Sequence, residues 1–307
     1  MQTILGANGI IGQELSKNLG QYTSQIRQVS RNPKRVNATD TLLQADLLNY
    51  EQTEQAVAGS EIVYLVAGLK YDISVWRDQW PKVMKNVLDA CKKHNSKLVF
   101  FDNVYAYGKV DGIMTEETPF NPNSRKGEVR ASIATMLLDE IKSNNLQGMI
   151  VRAADFYGPG AILSLTHAAV HERLKQGKGA QWIGDPKTIH TFTYTPDAGK
   201  TVAVLGNTPS AFNQTWHALT SAERMTGEDY VRIACKTLNI PFKGIQTLPK
   251  FGVRILGLFM PVLRESVEMI YQFENDYIFD SSKFERAFSL KATTYQEGIK
   301  ASLSYGS

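Results

Sequence analysis

The chain has 307 residues and a net charge of +4, and 43% of its residues are hydrophobic while 21% are charged. These values are typical of a globular protein with room for one large domain or two closely associated ones. Basic residues are scattered except over residues 31–35, which argues against a nucleic-acid partner. Because Cys91 and Cys235 are the only cysteines, neither a disulfide framework nor a cysteine zinc site is predicted.

The first predicted strand begins at Met1, which leaves no room for a signal or transit peptide, so we expect a cytoplasmic protein. The most apolar later run covers residues 251–263, contains Arg254 and Pro261, and is shorter than the roughly 20 residues that span a bilayer. We expect it to be a packed segment and predict no membrane partner; the alternative is a segment at a membrane surface.

A glycine-rich stretch near the start predicts a strand, a tight turn and a helix. Gly6, Gly9 and Gly12 follow a short apolar run and precede a helical pattern of apolar residues at 11, 15 and 19. The first glycine would let the chain reverse, the second would let a pyrophosphate approach the backbone, and the third would let the helix pack closely. The alternative is an ordinary glycine-rich turn. The residues predicted to hold the phosphates are Gly6, Asn8, Gly9, Ile10, Ile11 and Gly12.

The second predicted strand, residues 25–31, ends in a basic cluster. Sites that prefer NAD place a carboxylate about 20 residues beyond the glycines, for the ribose 2′-OH. Here that position holds Ser30 and Arg31, which suit the 2′-phosphate of NADP, with Lys34 or Arg35 as a second cation. We therefore predict NADP, with NAD as the weaker choice. The alternative is a solvated basic turn.

Strands and helices then alternate as in an α/β protein. Further strands are predicted over 41–47, 61–68 and 97–103, and helices over 51–58 and 76–94, with Pro81 in the first turn of the second helix. This alternation predicts a doubly wound parallel sheet. Ligands of such sheets bind at the carboxyl ends of the strands. The residues that this places along one rim are Gly6, Arg31, Asp46, Ala67 and Asn103.

Several motifs in the right order resemble the NAD-dependent epimerase/dehydratase family of extended short-chain dehydrogenases/reductases. The matching positions are Gly6, Gly9 and Gly12, residues 45–47 and 66–68, Tyr107 and Gly108, and residues 151–160, 191–198 and 279–283. The resemblance implies a Rossmann-type sheet with a smaller C-terminal substrate lobe, and a small-molecule substrate. It adds cofactor contacts at Asp46, Leu47, Ala67, Gly68 and Phe156. A homodimer is a possible assembly.

The catalytic positions of that family depart from its pattern. The family uses a Ser or Thr four residues before the tyrosine-glycine pair, where this chain has Asn103. It also uses a Tyr-x-x-x-Lys pair, where this chain has Lys126 and Arg130, just before a helix predicted over 132–141. The resemblance therefore implies an atypical member. Arg130 could bind the cofactor as the lysine does, and a desolvated Lys126 could act as an acid; Lys126 could equally be a solvated helix start. Tyr105 could carry the proton, and Asn103 could bind a substrate carbonyl.

His167 and His171 are spaced to share a helix face, but no third ligand follows at a metal-site spacing, so no metal site is predicted. Later helices are predicted over 161–177, 226–238 and 265–273. We predict a dinucleotide-binding domain over 1–155, with strands around 189–205 returning to it, and a substrate lobe over most of 156–307. The predicted function is an NAD(P)-dependent oxidoreductase or epimerase-like enzyme acting on a small carbonyl, an alcohol or a sugar nucleotide. The alternative is a non-catalytic NADP-binding regulator.

Overall fold

The computed structural model describes residues 1–248, 251–253 and 261–306. Its strands are β1 (Gln2–Leu5), β2 (Ile26–Ser30), β3 (Thr41–Gln44), β4 (Ile62–Leu65), β5 (Lys97–Asn103), β6 (Ile113–Met114), β7 (Gly148–Ala153), β8 (Asp155–Tyr157), β9 (Ala180–Ile183), β10 (Phe192–Tyr194), β11 (Thr215–His217), β12 (Ile245–Leu248) and β13 (Ile278–Phe279). Its first helices are α1 (Ile10–Leu19), α2 (Tyr50–Val57), α3 (Ile73–His94), α4 (Arg125–Lys142), α5 (Glu172–Lys175), α6 (Thr195–Gly206) and α7 (Gly227–Thr237). Later helices cover Pro261–Ser266, Tyr271–Glu274, Ser282–Phe288 and Tyr295–Ser304.

Seven parallel strands form the main sheet, in the order β11-β7-β5-β4-β1-β2-β3. The predicted doubly wound parallel sheet is confirmed. Strands β1 and β4 are buried along their whole length, as expected of central strands that are covered on both faces.

The strand order reverses beside β1. From β1 the chain builds β2 and β3 on one side and then crosses to β4 on the other. Gly6 directly follows β1, and Ala67 lies just past the end of β4. A reversal of this kind opens a crevice at the carboxyl ends of the two strands, which is where doubly wound sheets bind ligands.

Two predicted helix starts were wrong. Helix α3 begins at Ile73, because the Asp72 carboxylate accepts hydrogen bonds from the backbone N–H groups of Ser74 and Val75, so Pro81 lies inside the helix and not in its first turn. Helix α4 begins at Arg125, so Lys126 and Arg130 lie in its first turns and not before it.

The described residues form two compact units. The first comprises Met1–Ala106, Arg125–Ala153 and Pro196–Ala218, and it contains the main sheet. The second comprises Tyr107–Ser124, Ala154–Thr195 and the described part of Leu219–Ser307. The strand expected to rejoin the main sheet around 189–205 does not do so: β10 pairs with β8 instead, and the segment that returns is α6 followed by β11. Sequence periodicity alone does not reveal such a change of partner.

The second unit has a core rich in aromatic side chains. Tyr157, Trp182, Phe192, Tyr230 and Tyr295 are all buried in one cluster. The helix predicted over 161–177 is shorter, with a π-helical segment at His167–His171 followed by α5. The helix predicted over 265–273 is divided by a short 3-10 segment, Val267–Met269. Residues 254–260 of the apolar run lie outside the described residues. Among the described residues, no helix is long and apolar enough to cross a bilayer.

Candidate dinucleotide site

The three glycines of the first loop meet different constraints. Gly6 has a φ of +94°, and a Cβ built on it would lie 2.3 Å from the Ala67 Cα atom. A Cβ on Gly12 would lie 2.8 Å from the Ala7 Cα atom, whereas one on Gly9 would have only the Gly6 carbonyl oxygen nearby, at 3.4 Å. The fold therefore requires glycine at 6 and 12. At Gly9 the space beside the backbone is open, as the approach of a pyrophosphate would require.

The amino end of α1 adds anion-binding groups to this opening. Gly9 is the N-cap, no side chain caps the helix, and its first turn has no acidic residue. The first helical hydrogen bond runs from Gln13 N to Gly9 O, at 3.0 Å. The N–H groups of Ile10, Ile11 and Gly12 therefore have no intrahelical acceptor, and the helix dipole favours negative charge there.

Asn8 ties this loop to the basic loop after β2. Its Nδ2 donates to the Asn32 carbonyl oxygen at 2.6 Å, and its Oδ1 accepts from Lys34 N at 3.2 Å. In the structure the Asn8 side chain positions the basic loop, and its predicted contact with the cofactor stays a prediction. Sequence spacing could not show this, because the two loops are joined only by the fold.

The basic loop presents two free cations. The Arg31 and Lys34 side chains are exposed, and no ion pair holds them within the described residues. Arg35 instead donates through Nη1 to the Ala38 carbonyl oxygen at 2.6 Å, so it is a weaker candidate for the second cation. The Ser30 Oγ atom accepts from Asn32 N at 3.1 Å and keeps its own proton for an incoming anion.

The remaining rim positions lie at the ends of neighbouring strands. Asp46 is exposed, and its Oδ1 accepts from Leu48 N at 3.0 Å. The Leu47 carbonyl oxygen accepts from Asn86 Nδ2 at 2.9 Å. Gly68 is exposed, and no atom lies within 4 Å of a Cβ built on it. Phe156 lies on β8 in the second unit, so its cofactor contact stays a prediction.

The structure gives Arg130 a partner that the sequence did not reveal. Its Nε and Nη2 atoms lie 2.7 and 2.5 Å from Asp102 Oδ1. The Asp102 side chain is fully buried, and Arg152 Nε lies 3.5 Å from its other oxygen. The Arg130 guanidinium also lies 4.5 Å from the Trp80 ring centroid. Arg130 thus pairs with Asp102 and lies against aromatic rings, and its predicted contact with the cofactor stays a prediction.

Lys126 and Asn103 also have specific surroundings. Lys126 is wholly buried, with its Nζ atom 4.6 Å from the Tyr71 ring centroid, so the solvated helix start is excluded. The Asn103 Oδ1 atom accepts from Tyr105 N at 3.0 Å, which closes the turn after β5. Reading the sequence missed Asp102, Arg152 and Tyr71. A charged residue just before the end of an apolar strand, as in residues 97–103, was the available signal for Asp102.

Two cavities in the first unit lie away from the predicted dinucleotide site. One of about 430 Å³ is lined by residues of α3 and α4, including Lys85, Asp89 and Glu140. Another of about 390 Å³ includes Ser96 and Gln147, which directly precede β5 and β7. Neither lining includes a predicted site residue. Because parallel strands put ligands at their carboxyl ends, the rim is the better candidate.

Comparisons with known proteins agree with this geometry. The chain matches the model of the NAD dependent epimerase/dehydratase family over residues 3–216, and it belongs to that family. The predicted membership is confirmed, and with it the class of NAD(P)-dependent enzymes of the short-chain dehydrogenase/reductase superfamily. A search of curated proteins found no significant match.

Three solved structures illustrate the likeness. A dTDP-glucose 4,6-dehydratase from Bacillus anthracis, in complex with NAD, is 17% identical with a TM-score of 0.81, over 99% of this chain and 95% of that one. A UDP-glucose 4-epimerase from Thermus thermophilus, also with NAD, is 17% identical with a TM-score of 0.78, over 99% and 98%. A UDP-glucuronic acid 4-epimerase from Bacillus cereus, with NAD, is 18% identical with a TM-score of 0.79, over 99% and 96%. At such identities the likeness establishes the fold.

Proposed function

We propose that this protein is an NADP-preferring oxidoreductase or epimerase-like enzyme that acts on a sugar nucleotide or on a small carbonyl or alcohol. One observation carries the cofactor part. The uncapped amino end of α1 opens beside Gly9, and Asn8 holds the basic loop next to it. Helix amides suit a pyrophosphate, and the cations of the basic loop suit a further phosphate.

The substrate class rests on the solved structures above, which are named as enzymes of sugar nucleotides. A bound nicotinamide dinucleotide supplies or accepts a hydride. The chain's own part is to hold the dinucleotide along residues 6–12 and 31–34, and to exchange a proton with the substrate oxygen near Lys126. A homodimer stays a prediction.

The occupation of the family's catalytic positions by Asn103, Lys126 and Arg130 favours a second candidate, a dinucleotide-binding regulator without turnover. Calorimetric titration with NADPH and NADH tests the shared cofactor site, and we expect tighter NADPH binding. Screening sugar nucleotides, ketones and aldehydes for NADPH oxidation then separates the candidates. Turnover supports the enzyme, whereas tight NADPH binding without turnover on any of them supports the regulator. Failure to bind either cofactor contradicts both.

A further inference from the structure

The loop after β4 contains Tyr71, whose ring lies beside Lys126. The Lys126 Nζ atom lies 4.6 Å from the centroid of the Tyr71 ring. Trp76 meets the same ring edge-on, at 5.7 Å and 88°, and stacks on Tyr105 at 6.3 Å and 19°. Two phenol-bearing rings therefore flank Trp76, and the buried ammonium lies over the face of Tyr71.

The position of Tyr71 is set by anchored neighbours. The Asp72 Oδ1 atom accepts from Ser74 N at 2.9 Å and so caps α3. Trp76 Nε1 donates to the Lys70 carbonyl oxygen at 2.9 Å. Both residues adjoining Tyr71 in sequence are thus held by hydrogen bonds to α3. Such anchoring reduces the entropy lost when a side chain must keep one orientation.

The same loop begins at the dinucleotide site. Its first residues include Ala67, whose backbone packs against Gly6 so closely that no Cβ fits between them. Residues 67–71 therefore lead from the glycine loop to Lys126. Tyr71 lies on the rim at which the carboxyl ends of the strands bind ligands.

The chemistry of these groups favours Tyr71 as the residue that handles the proton. Arg130 is held by Asp102, and Lys126 has no exposed surface, whereas Tyr71 is partly exposed. A positive charge close to a phenol stabilises the phenolate and eases release of its proton. We propose that Tyr71 exchanges the proton with the substrate oxygen, and that Lys126 is a positioning residue that stabilises the Tyr71 phenolate.

This inference rests on the proposed enzyme function. In the direction of reduction, the carbonyl carbon gains the hydride that the dinucleotide supplies. The carbonyl oxygen gains the Tyr71 proton as the phenol O–H bond breaks. The phenolate then takes a proton from water, which restores the starting state. In the direction of oxidation, the phenolate accepts the proton of the alcohol.

The ionisation of Tyr71 can be measured without substrate, as tyrosinate absorbance in the near ultraviolet during a pH titration. The chain has 13 tyrosines. Burial raises the pKa of four of them far enough to remove them from the ordinary titration range, namely Tyr64, Tyr230, Tyr277 and Tyr295. The wild type is compared with Tyr71→Phe, and the exposed Tyr22 supplies a matched control, Tyr22→Phe.

The tyrosinate absorbance that is missing in Tyr71→Phe is the contribution of Tyr71, and the absorbance missing in Tyr22→Phe is that of Tyr22. The Tyr71 contribution should have the lower midpoint pH. With Lys126→Met as the background, the Tyr71 signal should move up by roughly one pH unit or more, because the stabilising charge is gone. A Tyr71 signal at or above the pH of Tyr22 overturns the proposal. The proposal is also overturned if the Tyr71 signal has the same midpoint pH with and without Lys126→Met.

Turnover on a substrate from the screen gives a second readout. Tyr71→Phe should lower kcat roughly a hundredfold or more with NADPH affinity retained, and Lys126→Met should move the basic limb of the pH profile. Tyr22→Phe should match the wild type. Full turnover in Tyr71→Phe, or loss of kcat in Tyr105→Phe alone, overturns the assignment. A wild-type protein that does not bind NADPH contradicts the proposed function instead, and the titration still decides whether Lys126 acts on Tyr71.

Discussion

Arg130 donates through Nε to Asp102 Oδ1 at 2.7 Å, and its Nη2 atom lies 2.5 Å from the same oxygen, in a buried site. A buried ion pair gains less than its contact distances suggest, because both charges lose water. Removing one partner is costly, however, since the other charge remains in the interior. The pair joins the end of β5 to the first turns of α4 and so holds the two elements that carry Asn103 and Lys126.

Asp102→Asn should therefore destabilise the protein strongly. The amide keeps the volume of the carboxylate but leaves the Arg130 charge without its partner, at a cost of about 3–5 kcal/mol. Urea unfolding measures the loss. Asp78→Asn is the matched control, because it removes an exposed i,i+4 pair with Lys82 and should change stability little. Equal losses of stability in the two variants would show that the buried pair stabilises the fold no more than the exposed pair does.

Gly9→Val should abolish NADPH and NADH binding and leave the protein folded. The added Cβ atom would lie no closer than 3.4 Å to another backbone atom, and the valine side chain would stand where the pyrophosphate approaches. Gly12→Val should instead destabilise the fold, because its Cβ would lie 2.8 Å from the Ala7 backbone. Fluorescence titration of the cofactors and thermal unfolding separate the two effects. Unchanged affinity in Gly9→Val would contradict the phosphate placement.

Arg31→Ala should weaken NADPH binding and leave NADH binding nearly unchanged. Loss of a charge-assisted hydrogen bond costs about 1.5–3 kcal/mol, which is roughly tenfold to a hundredfold in affinity. Calorimetry with both cofactors measures this difference. The control is Arg232→Ala, which removes an exposed arginine that pairs with Glu228 on α7 and should alter neither affinity. Equal losses for NADPH and NADH in Arg31→Ala would make Arg31 a structural residue.

His171 should make stability depend on pH. Burial, together with the nearby His167 and Lys175, lowers the pKa of His171 from 6.5 to about 4. The His171 Nε2 atom lies 2.9 Å from the Tyr230 hydroxyl oxygen, and in the tautomer with its proton on Nδ1 the neutral ring accepts a hydrogen bond from that hydroxyl. At a pH between these two pKa values, His171 is protonated in the unfolded chain but neutral in the folded protein. Its contribution to the free energy of unfolding is therefore fully present above pH 6.5 and is lost as the pH falls to about 4. The loss is on the order of 3 kcal/mol.

Urea unfolding across that pH range tests this expectation. His171→Gln keeps an acceptor for Tyr230 and should remove much of the pH dependence. His167→Gln alters a partly exposed histidine and should preserve most of it. A pH profile that is identical in wild type and His171→Gln would contradict the role of His171.

The class of fold could be read from the sequence because its signals are local. Gly6, Gly9 and Gly12 mark a turn whose backbone demands act over a few residues, and the apolar run at 61–68 marks a strand covered on both faces. Element boundaries were less certain. Helix α3 begins several residues before its predicted start, because the Asp72 side chain caps it there and a cap can begin a helix before its apolar pattern is evident.

The site required the tertiary structure because its contacts join residues that are far apart in the chain. Asn8 meets Asn32, Asp102 meets Arg130, and Lys126 meets Tyr71 only after the sheet has brought the loops together. Sequence spacing placed Arg130 at the cofactor but could not show that it also lies beside a buried carboxylate. By itself the sequence determined the sheet and the glycine loop, whereas the arrangement of charges around them was decided by folding, since side-chain pairing depends on distance in space.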